Sequence, residues 1–551
     1  MSRTDAPSSL FPSTTTHRPG PEPEARDRLA AGLLRGPLAV VLAGMAALQL
    51  ASWLPHYLTW PFWADHDVYA TLAYGWEHGQ LPYRDLACNN FPGTIYLFWA
   101  LGRIAGWGRT LPFYALDAAF VVAFGVAMLA WSRRLFSNVL PGLAGYTAFL
   151  SYYLSQDYAR AGQHDWHAAF FAVVGILAVE CWSSRAARLL SGCALALAVT
   201  TRPQAVLFLP AVALALDERS RAPGESLRRS VRPCLEWGSA FLVFLALGFA
   251  PLAAAGVLPD FVHGVRLASY GSRYNQVTPA SVFSGWVTQL SPLRFTVVPV
   301  ALLLFHHWGD PRSRRTALTW GVALAAVSLY KPLSPMAHGY LDIPLLVVWT
   351  VSLATLVHLV LCAVSLAPSL RLGFVLLLLA LGTTARPGFC VVSPTLRAVT
   401  ALRHGHFPDG TPVGYRRGSV PTGAYYSWDD YHAAVEYLKR ETTPETRVAN
   451  VLKGDSAITG PTARGSAFPA ESITWLKMVN PADEQRFADG LAGARNSVVV
   501  WVPGEAGPPP GQPLPLITPV ILRDYEPAAR FGAIEVWRRK REGSQPGVTS
   551  R

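Results

Sequence analysis

Apolar runs of about twenty residues recur from residue 37 to about residue 392, and this repetition restricts the fold more than any other feature of the sequence. A helix of that length spans the hydrocarbon core of a bilayer. The chain has 551 residues, of which 51% are hydrophobic and only 15% are charged. The sequence therefore predicts a polytopic α-helical membrane protein with about eleven transmembrane helices, followed by a soluble α/β domain.

Shifts in composition divide the chain into four predicted segments. Residues 1–34 are rich in Pro, Ser and Thr and are predicted to be a disordered cytoplasmic tail. Residues 35–392 form the predicted transmembrane domain, in which residues 55–110 are the first extracytoplasmic loop. Residues 393–541 have the strand and helix patterns of an extracytoplasmic α/β domain, and residues 542–551 are a second disordered tail.

The arginine clusters set the predicted topology, because Lys and Arg accumulate in the cytoplasmic loops of membrane proteins. With the N-terminus inside, the clusters that fall inside are Arg133–Arg134, Arg185–Arg188, Arg219–Arg232, Arg312–Arg315 and Arg371. The same count places the first loop and the C-terminal domain outside, so we expect a multi-pass protein of the plasma (inner) membrane with an extracytoplasmic active site. These loops also explain the net charge of +12, so no nucleic-acid partner is predicted.

The loop that follows the first predicted helix carries an unusual density of reactive side chains. Residues 61–99 combine acidic, amide, histidine and many aromatic side chains, which a simple connector between helices does not need. A carboxylate here would lie at the outer membrane face, within reach of a membrane-bound substrate. Asp65 and Asp67 are therefore the candidate catalytic residues, as a general base. The alternative is that Asp65 caps the helix predicted to begin near Val68.

This loop resembles the first loop of GT-C class glycosyltransferases, in the branch that includes protein mannosyltransferases, aminoarabinose transferases and related bacterial enzymes. The residues that carry the resemblance are Asp65, Tyr69, the segment GQLPYRD from Gly79 to Asp85, Asn90, Pro92 and Tyr96. The chain departs from the family pattern at two places. His66 separates two acids that are adjacent in many members, and Asn90-Phe91 stands where relatives often carry Lys before the later Pro.

The resemblance implies an inverting glycosyltransferase that takes a monosaccharide from a polyprenyl-phosphate donor at the outer face of the membrane. It also implies Asp65, which best matches the family's loop aspartate, as the first choice for the base and Asp67 as the second. The donor and the membrane lipid are then the expected partners, and the acceptor (glycan, lipid or protein) is left open. A transporter or lipid flippase is the alternative function, since it also carries intramembrane charges. A third interpretation is a non-catalytic scaffold whose outer domain binds a partner.

Substrate-binding candidates come from the loop motif and from cations at the outer ends of helices. They are Tyr83, Arg84, Asp85, Asn90, Arg202, Lys331, His338 and Tyr340. A basic side chain here would hold the donor phosphate, and the alternative is that it extends to lipid headgroups. Asp85 has the alternative of a salt bridge with Arg84, and Asn90 that of a turn before Pro92.

No cofactor and no metal ligand are assigned from the sequence. The polar segment between the third and fourth predicted helices contains His164, Asp165 and His167, which would allow a divalent cation. Two histidines and one aspartate make a thin ligand set, so the cation is an open alternative rather than part of the predicted site.

Overall fold

The computed structural model describes most of the chain and shows a largely helical protein with a small C-terminal sheet. The described residues are 21–156, 160–220, 227–272, 275–306, 311–336, 338–384, 399, 403–404, 428–452, 457–503 and 514–541. The predicted fold class is confirmed, since apolar helices precede an α/β domain.

Sixteen α-helices, here α1 to α16, lie among the described residues before residue 385. They are Pro21–Arg35, Pro37–Tyr57, Ala64–Glu77, Pro92–Ala105, Leu111–Phe136, Leu140–Tyr153, His164–Cys181, Arg185–Thr201, Leu209–Ser220, Leu227–Ala254, Leu258–Gly271, Pro279–Leu290, Leu293–Phe305, Pro311–Val327, Ile343–Cys362 and Pro368–Thr384. Every one of the eleven helices expected from the sequence overlaps a helix in this series.

Length and composition identify fewer membrane spans than the sequence predicts. Among the described residues, the helical segments long and apolar enough to cross a bilayer are Pro37–Pro55, Leu111–Phe136, Val231–Ala254 and Gly339–Cys362. The pair α12 and α13 forms a fifth span if the two helices, bent by 70°, are counted as one. The other predicted spans are shorter or interrupted, so the count of about eleven stays a prediction.

The predicted disordered N-terminal tail ends earlier than expected, because α1 occupies residues 21–35. Its Leu, Ala and Arg residues are good helix formers, and it packs along α16. Ala30 is buried, and the Asp27 carboxylate accepts a hydrogen bond from the Ser369 backbone N–H at 3.1 Å. The correction therefore concerns residues 21–34, while residues 1–20 lie outside the described part of the chain.

The first loop folds into two helices joined by a tight turn. The spacing of the apolar residues Val68, Leu72, Ala73 and Trp76 predicts that they share one face of a helix, and all four lie in α3. The connection to α4 includes Gly79 at φ 86° and Tyr83 at φ 69°, a left-handed conformation that is costly for a residue with a side chain. A helix and a strained turn thus fix the positions of the loop's polar residues.

The C-terminal domain contains a five-stranded sheet of order β2-β1-β3-β5-β4. The strands are β1 Arg447–Asn450, β2 Gly465–Ser466, β3 Ser497–Trp501, β4 Tyr525–Phe531 and β5 Ile534–Arg539. β1 pairs in parallel with β2 and β3, whereas β5 runs antiparallel to β3 and β4. Helices Trp428–Glu441 and Glu484–Gly493 flank it.

The sequence pattern predicts strands at Arg447–Leu452, Asn496–Val502 and Ala533–Arg538, and these coincide with β1, β3 and β5. β2 has only two residues, which is too short for a periodic pattern. β4 is an edge strand that contains Pro527 and a register shift between Pro527 and Ala529. Proline and bulges suit an edge strand but hide it from pattern reading. Most of residues 393–427, the predicted start of this domain, lie outside the described residues.

Candidate active site

A cavity of roughly 970 Å³, including the space open to solvent, lies between the membrane helices and the C-terminal domain. The first loop contributes α3 and residues 87–91 to its wall. The ends of α7 and α8 form a second side together with residues 334–336, 338 and 340, and residues of the segment 471–479 in the C-terminal domain form a third. Segments far apart in sequence therefore meet at one concave site, which is the usual form of a ligand-binding site.

Asp65 lies on the cavity wall at the second residue of α3 and is half-buried. One turn later on the same side, Tyr69 also lines the cavity, and its hydroxyl lies 3.0 Å from His164 Nδ1. Burial raises the pKa of the Tyr69 hydroxyl, and the negative charge of Asp65 adds to that rise. The carboxylate of Asp65 therefore has a neutral phenol as a neighbour.

Arg202 follows α8 directly and brings a positive charge to the cavity wall. Its Nε donates to Asp165 Oδ1 at 2.9 Å and its Nη1 donates to Asn90 Oδ1 at 3.3 Å. The Tyr330 hydroxyl donates to the same Asp165 oxygen at 2.9 Å. Asp165 is fully buried. Its ion pair with Arg202 therefore fixes the position of the guanidinium on the side away from solvent.

His338 and Tyr340 also line the cavity. Their rings stack with centroids 5.1 Å apart and an interplanar angle of 16°. Five of the ten residues predicted from the sequence thus meet around one cavity, and they are Asp65, Asn90, Arg202, His338 and Tyr340.

Asp67 lies on the opposite side of α3 and contacts the C-terminal domain instead of the cavity. Its Oδ2 accepts from the Ile458 N–H at 2.9 Å and from the Thr459 hydroxyl at 3.1 Å, and its Oδ1 accepts from the Gly460 N–H. Burial raises the pKa of Asp67 to about 6, although these donors oppose the rise. This aspartate caps the turn Thr459–Thr462 and anchors the domain to α3.

The residues Tyr83 to Asp85 form the turn between α3 and α4, and none of them lines the cavity. The buried Tyr83 donates from its hydroxyl to the Asn90 carbonyl at 2.9 Å. Arg84 pairs with Asp85 at 3.1 Å, and Asp85 Oδ2 accepts from the Leu81 N–H at 2.8 Å. Arg486 of the C-terminal domain donates to the Arg84 carbonyl at 2.8 Å. The turn therefore binds the backbone of Asn90 through Tyr83 and the C-terminal domain through the Arg84 carbonyl.

Lys331 lies apart from the cavity wall. Its Nζ donates to both carboxylate oxygens of Asp342, at 3.1 and 3.2 Å. The lysine side chain is 25% exposed. Of the two cations proposed for the donor phosphate, Arg202 is the one that the fold brings to the cavity.

The segment considered for a divalent cation is engaged in other contacts. His167 Nε2 lies 2.8 Å from Asp117 Oδ1, and Asp165 binds Arg202 and Tyr330. Within the described part of the chain, no three His, Cys, Asp or Glu side chains are grouped as metal ligands. Asp117 is fully buried and also accepts from the hydroxyls of Tyr57 at 2.6 Å and Tyr153 at 2.7 Å. This network supports the segment that presents His164.

Sequence reasoning missed the contribution of the C-terminal domain. Glu471 and Trp475 line the cavity, and Glu471 is only 8% exposed. Burial raises the pKa of the Cys88 thiol to about 12, and the charge of Glu471 adds to that rise, which places the carboxylate near the loop 87–91. No spacing signal in the segment ESITWLKMV, residues 471–479, identifies it as part of a site.

No family model and no curated protein matches the sequence. A solved structure, that of ArnT from Cupriavidus metallidurans in the apo state, is similar to this chain with a TM-score of 0.52. The similarity covers 91% of this chain and 97% of ArnT at 14% sequence identity. It therefore includes both the membrane helices and the C-terminal domain. The chain therefore has a fold similar to that of ArnT, an aminoarabinose transferase, which is one of the enzymes whose first loop its own loop motif resembles.

Proposed function

We propose that this integral membrane protein is an inverting glycosyltransferase that moves a monosaccharide from a polyprenyl-phosphate donor to an acceptor at the outer face of the membrane. The observation that carries the proposal is one cavity that holds a carboxylate, Asp65, together with a guanidinium, Arg202. The ArnT-type fold and the first-loop motif support the same reaction class.

The reaction needs a base where the acceptor hydroxyl approaches the anomeric carbon. Asp65 takes the hydroxyl proton as the acceptor oxygen forms its bond to that carbon. The bond from the anomeric carbon to the donor phosphate oxygen breaks, and the electron pair leaves on the polyprenyl phosphate. Asp67 is the weaker candidate for the base, because its two oxygens hold Ile458, Thr459 and Gly460.

Arg202 is proposed to stabilise the phosphate that leaves. A guanidinium has five N–H donors, and two of its nitrogens bind Asp165 and Asn90. The pairing with a buried carboxylate fixes the guanidinium before substrate arrives, so little reorganisation is needed as negative charge develops. Asn90 contacts both this guanidinium and Tyr83, and its amide is proposed to bind a sugar hydroxyl.

The test is sugar transfer in membranes that contain the protein, supplied in turn with radiolabelled polyprenyl-phosphate sugars. Wild type is compared with Asp65→Asn and Asp67→Asn at equal protein level. We expect wild type to release polyprenyl phosphate from at least one donor, and Asp65→Asn to abolish that release. Asp67→Asn should retain it wherever the protein stays folded.

Two results would contradict the proposal. Equal donor turnover in wild type and Asp65→Asn would remove the base from α3. The absence of turnover with every donor, including hydrolysis by water, would favour the transporter or scaffold alternatives. Donor hydrolysis is measured as well as transfer because it does not depend on knowing the acceptor.

A further inference from the structure

The C-terminal domain supplies a second carboxylate to the cavity, on the wall formed by residues 471–479. Glu471 precedes the short helix Thr474–Met478 and is nearly inaccessible to bulk solvent. The Ser472 hydroxyl donates to Glu471 Oε1 at 2.7 Å, which restricts the carboxylate to one orientation. Removing a carboxylate from water costs free energy, which hydrogen bonds from polar partners must offset. A ligand with hydroxyl groups could supply such hydrogen bonds on the wall of this cavity.

An aromatic ring and apolar side chains lie beside this carboxylate. Trp475 also lines the cavity, and its indole N–H donates to Asp483 at 2.7 Å, so the ring is held by a contact outside the cavity. Met478 and Val479 extend the apolar surface along the same segment, and Val265 and Ala268 of α11 also line the cavity. The wall therefore combines one acidic group with a fixed ring and an aliphatic surface.

Neutral hydrogen-bonding groups complete this part of the cavity. They are the side chains of Asn89, Ser269, Ser334 and Thr474. A sugar ring presents hydroxyl groups around its edge and C–H groups on its faces, so it suits polar groups beside an aromatic surface. A carboxylate accepts hydrogen bonds from such hydroxyls more strongly than a neutral acceptor does.

We propose that Glu471 and Trp475 form the acceptor subsite, and that the acceptor is a carbohydrate bound through its ring hydroxyls. The inference rests on the proposed function and assigns the acceptor class that the sequence leaves open. Glu471 binds and orients the acceptor, while Asp65 removes the proton from the attacking hydroxyl. The two carboxylates thus have separate tasks, one for each domain of the protein.

The experiment separates acceptor binding from donor chemistry in the purified full chain. With a donor that wild type hydrolyses, transfer is measured to octyl glucoside, octyl mannoside and octyl galactoside, to a serine-containing hexapeptide and to phosphatidylethanolamine. Glu471→Gln and Glu471→Asp are the test variants. Glu526→Gln is the matched control, since Glu526 is exposed on β4 and does not line the cavity.

We expect at least one alkyl glycoside to be the preferred acceptor of wild type. Glu471→Gln should raise the acceptor KM by about tenfold or more, while the rate of donor hydrolysis by water stays within twofold of wild type. Glu526→Gln should change neither quantity. Because Asp65→Asn is expected to abolish hydrolysis as well as transfer, the hydrolysis rate distinguishes the two carboxylates.

Several outcomes would overturn this assignment while leaving the proposed function intact. An unchanged acceptor KM in both Glu471 variants removes Glu471 from the subsite. Hydrolysis that falls together with transfer assigns Glu471 to the donor. Preference for the hexapeptide or for phosphatidylethanolamine refutes the carbohydrate class. Wild type that hydrolyses no donor contradicts the proposed function itself, and the subsite falls with it.

Discussion

One side of α3 faces the cavity and the other side holds the C-terminal domain, although both sides carry an aspartate. Asp65 and Tyr69 lie on the cavity side, whereas Asp67 and Thr71 contact the turn Thr459–Thr462. Successive helical residues are separated by roughly 100°, so residues two apart point in nearly opposite directions. The two acids of this motif therefore lie in different surroundings: Asp65 faces the cavity, where we propose that it acts as the base, and Asp67 binds the C-terminal domain.

The largest expected effect is on the cavity side. Asp65→Asn keeps the size of the side chain but removes its basicity, so donor turnover should fall by about 10²- to 10⁴-fold. Thermal unfolding and protease resistance of the purified protein should remain those of wild type. A fall in turnover of less than tenfold, with normal stability, would show that the base lies elsewhere.

Arg202 tests whether the cavity wall depends on its buried ion pair. Arg202→Gln leaves Asp165 without its cation, which should cost about 3 to 5 kcal/mol in the free energy of unfolding and abolish transfer. The double variant Arg202→Gln with Asp165→Asn should recover most of the stability but none of the transfer. Thermal melting in detergent measures the first quantity, and equal melting of single and double variants would contradict the coupling.

Substitution of Asp67 tests the side of α3 that contacts the C-terminal domain. Asp67→Ala removes the acceptor for the Ile458 and Gly460 N–H groups, which should cost about 3 kcal/mol. Limited proteolysis should then release the C-terminal domain more rapidly than from wild type, and transfer should fall in step with release as temperature rises. Asp65→Ala is the control, and similar proteolysis of the two variants would contradict the division between the two sides.

The smallest effect is expected at the turn between α3 and α4. The Arg84 and Asp85 side chains are 53% and 36% exposed, and exposed ion pairs contribute about 0 to 1 kcal/mol. Arg84→Gln should lower the free energy of unfolding by no more than this amount, and the rate of sugar transfer should stay within twofold of wild type. A tenfold loss of transfer at normal stability would indicate that Arg84 binds substrate, as the resemblance of the loop motif implies.

Local patterns in the sequence predicted the elements of the fold well. The length of the apolar runs located the helices, and short runs of apolar residues located β1, β3 and β5, because each signal is contained within one element. The sequence does not show that Asp65 and Arg202 line the same cavity, since 137 residues separate the two positions (202 minus 65). The contact between Tyr69 of α3 and His164 of α7 and the packing of α4 on α8 bring these two segments together.

The different positions of Asp65 and Asp67 on α3 could be predicted in part from the sequence. Helical periodicity alone places them on different sides of α3, but the sequence does not say which side meets the cavity. That depends on contacts with Ile458, Thr459 and Gly460, almost 400 residues further along the chain. The sequence did not identify Glu471 as a cavity residue for the same reason: its place on the cavity wall depends on where the C-terminal domain packs.

The division of the cavity between the two ends of the chain has a consequence for biosynthesis. Residues 65 to 91 emerge early from the ribosome, whereas Glu471 and Trp475 emerge only after every membrane helix has been made. The cavity wall is incomplete until the C-terminal domain has folded against α3. A chain that ends before residue 471 therefore lacks one side of the cavity, and we expect the proposed activity only after the C-terminal domain has been made and has folded against α3.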